Sequence, residues 1–166
     1  MIQHAADPAL TTKSTDWYIW ELFAAHPLKE TLPVSGDLDP LFFVAGKSTQ
    51  DSLVWKGACY NTTNHEAVPV SVAFEGVEPG TRAELTLLTG PKDPYAYNDP
   101  WTGENVVKTT KSVLEANQDG EFQFDMPELS VAVLDTLVGE DSATEDPVEE
   151  EGSEAAIKRR KRNRSI

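Results

Sequence analysis

Between Pro91 and Asn105 the chain reads PKDPYAYNDPWTGEN, a polar loop in which Tyr95, Tyr97 and Trp101 stand among prolines, aspartates and asparagine. Aromatic faces flanked by hydrogen-bonding groups are surfaces on which sugar rings stack, so these three residues are candidate carbohydrate contacts. The alternative is that the rings fold back onto the body of the protein or onto a neighbouring domain.

Carboxylates are the next candidates for chemistry. Hydrolysis of a glycoside needs two of them on opposite sides of one bond, about 5 Å apart for retention and further for inversion. Glu75 and Glu84 are expected on neighbouring strands, but both fall on the polar side of the alternation, where a solvated role suffices. No catalytic residue is assigned. His4, His26 and His65 are scattered, and neither Cys-x-x-Cys nor His-Glu-x-x-His occurs. Asp93, Asp99 and Glu104 do not follow a calcium-loop spacing. Metal and cofactor are therefore both read as none. Gly-x-Ser-x-Gly and phosphate-cradling glycine loops are missing as well. Cys59 is the single cysteine and sits in a strand-like run, where it reads as a small buried apolar residue. Asn61 with Thr63 and Asn163 with Ser165 are N-glycosylation sequons if the product is secreted.

Positioning these residues falls mainly to β structure. From Leu41 onward the hydrophobic period is two. Runs at 41–46, 51–61, 68–76 and 82–90 are followed, after a polar stretch to Lys111, by three short strands around Val113, Phe122 and Val131. In VPVSVAFEG, Val68, Val70, Val72 and Phe74 face inward while Pro69, Ser71, Ala73 and Glu75 face out. Pro79-Gly80 and Asp119-Gly120 mark tight turns. About six short strands without intervening helices predict a mainly β fold, an antiparallel β-sandwich or jelly roll over 41–138. Residues 1–13 read as loop and 27–40 as connector.

One short helix precedes the strands, in STDWYIWELFAAHP. Ser14, Thr15 and Asp16 are good N-cap types, Leu22, Ala24 and Ala25 favour the helix, and Pro27 ends it. Trp17, Trp20 and Ala24 form one line, Tyr18, Leu22 and Ala25 a second, Ile19 and Phe23 a third. A helix apolar on all three lines needs neighbours on every side, which predicts an interior element of something larger; a strand or an ordinary core helix of this domain is the alternative.

Charge narrows the partners. The formal net charge is −14, and residues 1–138 carry 20 acidic against 8 basic side chains, so the body repels polyphosphate and nucleic acid is excluded as its ligand. Residues 139–166 are acidic and then basic, with few large apolar side chains, and are expected to be disordered. Their run Lys158 to Arg164 matches an import-type basic patch. No apolar run reaches 18 residues, so no membrane span is expected, and the N-terminus shows no leader pattern. Localisation is left unassigned.

Three stretches together, STDWYIWELFAAHPLKETLPV, ACYNTTNHEAVPVSVAFEGV and ANQDGEFQFDMPELSVAVLDT, resemble the C-terminal region of fungal-type α-L-arabinofuranosidases of glycoside hydrolase family 51, over Ser14 to Leu137. The resemblance implies that Trp17, Tyr18, Trp20 and Phe23, with Glu21 and Leu22, belong to the segment closing a catalytic barrel, and that the rest is its C-terminal β-sandwich. In the family the catalytic glutamates lie on barrel strands, the acid/base one in an Asn-Glu pair, a dipeptide this sequence lacks; members are often secreted. A barrel takes about 250 residues. The implied partners are a missing catalytic barrel and the terminal arabinosyl groups of plant polysaccharides. A domain fragment inactive alone is the leading expectation. The rivals are a free-standing carbohydrate-binding sandwich using Tyr95, Tyr97 and Trp101, and an interaction protein with a basic import tail.

Overall fold

The computed structural model describes residues 2–3, 11–36, 39–60, 66–93, 95–99, 101–102 and 104–138. In chain order the elements are β1 (Ile2–Gln3), β2 (Thr12–Lys13), α1 (Thr15–Ala25), β3 (Leu28–Leu32), β4 (Leu41–Ser48), β5 (Leu53–Cys59), β6 (Val68–Ala73), β7 (Arg82–Thr89), β8 (Lys108–Glu115), β9 (Glu121–Met126) and β10 (Ser130–Thr136). Strands β3-β4-β5-β10-β7-β8 form one antiparallel sheet, β6-β9 a two-stranded ribbon, and β1-β2 a second small pair. The expected β-sandwich is present, with unequal layers, and one short helix accompanies it.

The ribbon packs on one face of the six-stranded sheet. Between them lie Trp55, Cys59, Leu85, Phe122, Met126 and Leu134, with Phe43, Leu87 and Phe124 at the margin. Trp55 meets Phe124 edge-on at 5.7 Å and stacks near Phe43 at 6.2 Å. Its indole lies over Gly57 two residues along the same strand, where a Cβ would collide with the ring. The opposite face carries α1. Leu22 packs with Val54, Leu88, Val107 and Val133, joined by half-buried Tyr18 and Phe23.

These layers explain the sequence patterns. β6 is covered on one face only and alternates buried and exposed as expected. β5 and β10 are covered on both faces, so their buried positions run almost continuously and the period-two signal fades. In β10, Ala132 and Leu134 enter the ribbon-side core while Val131 and Val133 face α1. Gly80 and Gly120 take φ of 81° and 76° in the two expected turns, and a Cβ on Gly120 would come 2.7 Å from the Val77 carbonyl oxygen.

Three expectations are corrected. The stretch read as connector contains β3, the edge strand paired with β4, whose LKETL sequence is mostly exposed and so lacks a strand's alternation. The stretch read as loop at 1–13 contributes β1 and β2. The polar segment read as far as Lys111 becomes β8 from Lys108, an edge strand with nearly every residue exposed. Among the described residues no helix is long and apolar enough to cross a membrane. Asn61, the acidic-then-basic tail, His4, His65 and Asn163 lie outside the described residues.

Candidate functional site

The aromatic loop is built on short polar turns. The Asp93 carboxylate accepts the Tyr95 amide at 2.9 Å, and that of Asp99 accepts the Trp101 amide at 2.8 Å. With these oxygens capping backbone donors, the loop closes on itself through Asp99 N–H to the Glu104 carbonyl at 3.1 Å. The three rings remain outside: Tyr95 is 88% exposed, Tyr97 59% and Trp101 77%. They do not fold back onto the sandwich.

What holds this loop is Asn98, a residue the sequence reading did not single out. It is buried, its Nδ2 donates to the Lys13 carbonyl at 2.7 Å, and its Oδ1 accepts the Val106 amide at 2.9 Å. Lys13 in turn reaches Glu21 of the helix at 2.7 Å and lies over the Tyr18 ring. Val107, at the loop's end, packs in the cluster beneath Leu22. Two groups of candidates separated by about 80 residues in sequence, the helix and the aromatic loop, are thus joined on one side of the domain. The signal that could have found Asn98 is a lone amide amid turn-forming Pro and Asp, which is weak.

Helix α1 rests on the sheet by one side. Tyr18 and Phe23, expected in the barrel-closing segment, are half-buried and pack beside Leu22 on this chain's own strands. Trp20 points away and is 71% exposed, Ile19 is 37% exposed, and Trp17 is half-buried. The helix end is latched by two polar contacts. The Lys56 ammonium donates to the Phe23 carbonyl at 3.0 Å, and His26 Nδ1 lies 2.9 Å from Asp135 Oδ2. Burial lowers the pKa of Lys56, opposed by the charge of Asp135.

The carboxylates do not make a hydrolytic pair. β6 and β7 belong to different sheets, so Glu75 and Glu84 are not on neighbouring strands. Glu84 instead takes Lys111 at 2.8 Å, and that hydrogen bond holds its pKa below the usual range. Cys59 is buried in the ribbon-side core. Among the described residues no three His, Cys, Asp or Glu side chains gather as metal ligands.

An unequal antiparallel sandwich with a helix on one face, and with exposed aromatic rings as its candidate contacts, defines the class of this β-domain. Residues 1–130 match the family model of the alpha-L-arabinofuranosidase C-terminal domain, and the chain belongs to that family. No curated protein matches it significantly. Among solved structures it is similar to an arabinose-bound α-L-arabinofuranosidase designated MgGH51, at 19% identity and TM-score 0.63 over 78% of this chain and 20% of that one. It is also similar to the arabinose complex of the Thermotoga maritima α-L-arabinofuranosidase, at 22% identity and TM-score 0.60 over 76% of this chain and 30% of that one. The glycoside hydrolase family 51 enzyme of Thermotoga petrophila RKU-1 aligns at 21% identity and TM-score 0.59, over 75% and 29%. The chain thus spans a fifth to under a third of these enzymes.

Proposed function

We propose that this chain is the β-sandwich portion of an α-L-arabinofuranosidase and works by docking on a catalytic barrel that removes terminal arabinofuranosyl groups from plant polysaccharides. The observation carrying this reading is the one-sided burial of α1. Its sheet-facing line is covered by this chain, whereas Trp20 opposite is 71% exposed. An indole offers on the order of 200 Å² of surface, so covering the exposed part is worth roughly 3–4 kcal/mol before association costs. Trp20 and Ile19, with the outer side of Trp17, form the barrel-facing strip; Tyr18 and Phe23 support it from beneath.

In this role the chain positions a barrel and supplies no acid or base. The purified chain should give no turnover of 4-nitrophenyl α-L-arabinofuranoside above a heat-killed control. It should co-purify with an arabinofuranosidase barrel expressed without its own C-terminal domain, and Trp20→Glu should abolish that capture. Turnover by the chain alone, or a barrel that ignores it, overturns the reading. A second reading, favoured by the exposure of Tyr95, Tyr97 and Trp101, gives the loop contact with the same polysaccharide. Affinity electrophoresis in arabinan should then show retardation that disappears in the triple alanine variant; equal mobility of the two proteins would refute it.

A further inference from the structure

The two layers do not match in width. Six strands on one side face a ribbon of two, and β6 pairs with β9 along one edge only; among the described residues no strand lies along its other edge. A groove of about 750 Å³ follows that open edge along the whole of Val68 to Glu75. Its floor is the ribbon-facing side of β4 and β5, with Leu41, Phe43, Ala45 and Trp55, and its far wall is the segment from Leu32 to Gly36. One strand occupies about 4.8 Å of sheet width, layers stack about 10 Å apart, and six residues extend about 20 Å, so a single strand displaces roughly 950 Å³. The groove, at about 750 Å³, offers roughly four-fifths of that volume, room for one strand with its rim in solvent and not for two.

From this geometry we infer that β6 is a docking edge for an extended polypeptide strand, added by β-augmentation as the third strand of the ribbon. The backbone of β6 gives the direction, and the next strand's alternate side chains descend onto Leu41, Phe43 and Ala45, so they are apolar. Its other side chains lie beside Pro69, Ser71, Ala73 and Glu75 on the outer face. The ribbon's outer face is acidic, with Glu75, Glu121 and Asp125, and the body is strongly negative, so the complementary strand carries Lys or Arg there. The same charges disfavour a second copy, because two ribbons joined edge to edge would bring their acids together. The solved enzymes with this fold are more than three times as long as the region they share with this chain, so polypeptide beyond the shared region exists there to supply a strand. The inference concerns the opposite side of the sheet from α1 and stands independently of barrel docking.

The test uses the whole 166-residue chain and a synthetic probe, acetyl-Lys-Val-Lys-Val-Thr-Val-Lys-amide, with amide hydrogen exchange read by NMR. Saturating peptide should slow exchange of the edge-facing amides in 68–73 at least tenfold and leave the β8 edge unchanged. The same peptide N-methylated at alternate residues cannot complete the ladder and should give no protection. Three results overturn the proposal: no protection by either peptide, equal binding of both, which would make the groove a mere apolar site, or concentration-dependent protection without peptide, which would make the occupant a second copy.

Discussion

Removing the Asn98 side chain should loosen the aromatic loop and cost measurable stability. Asn98→Ala deletes a hydrogen bond to the Lys13 carbonyl and another from the Val106 amide. Each is worth about 1 kcal/mol net, and a donor left buried without a partner adds about 1 kcal/mol more. Lys13 is exposed, so water can replace its lost donor, while Val106 is half-buried and bears most of that penalty. The expected loss is about 2–3 kcal/mol, or roughly 5–10 °C in Tm for a domain of this size. Urea unfolding followed by tryptophan fluorescence should show a lower midpoint at an unchanged slope, and the Val106 amide should exchange faster. Asn98→Asp keeps the acceptor for Val106 but places a carboxylate against the Lys13 carbonyl, so it should fall by a similar amount without freeing Val106. A loss under about 0.5 kcal/mol for the alanine variant would show that Asn98 does not anchor the loop.

Gly57→Ala should cost about 2–4 kcal/mol, because the new methyl drives the Trp55 indole off the ribbon-side core; an unaltered melting curve would refute that packing. The Lys111 hydrogen bond lowers the Glu84 pKa, so its stabilisation is complete above the unfolded value near 4.5 and disappears as pH falls through the folded value. Glu84→Gln should therefore be slightly less stable than the parent near pH 7, with the gap closing below about pH 4.5, the effect staying small because the carboxylate is partly exposed. A gap that does not narrow as pH falls below about 4.5 would contradict it. Trp20→Glu should reduce hydrophobic-dye binding and self-association of the purified chain while changing its unfolding free energy by less than about 0.5 kcal/mol, since the replaced ring makes little contact within the domain. A large stability loss would mean that the ring is packed after all.

Local signals carried much of this structure. Ser14 and Pro27 bracket α1, the VPVSVA alternation matches β6 residue for residue, and Gly80 and Gly120 sit at the predicted turns, because each depends on neighbours within a few residues. Edge strands escaped notice for the opposite reason. LKETL and KTTKSVLE bury little, so nothing in their hydrophobicity distinguishes them from loops, and only pairing with β4 and β7 makes them strands. The helix is a similar case: a run apolar on every line does not say which line meets its own sheet, and only the packing puts Tyr18 and Phe23 beside Leu22 there.

By itself, then, the sequence determined an antiparallel β-domain with an unusually apolar leading helix, because period, capping and turn chemistry are local properties of the chain. Only the tertiary structure decided that Asn98 ties the aromatic loop to the helix, that Trp20 is the ring left uncovered, and that β6 has an open edge above an apolar floor. Those features arise from contacts between residues tens of positions apart and from the unequal widths of two layers, which no short window of sequence records.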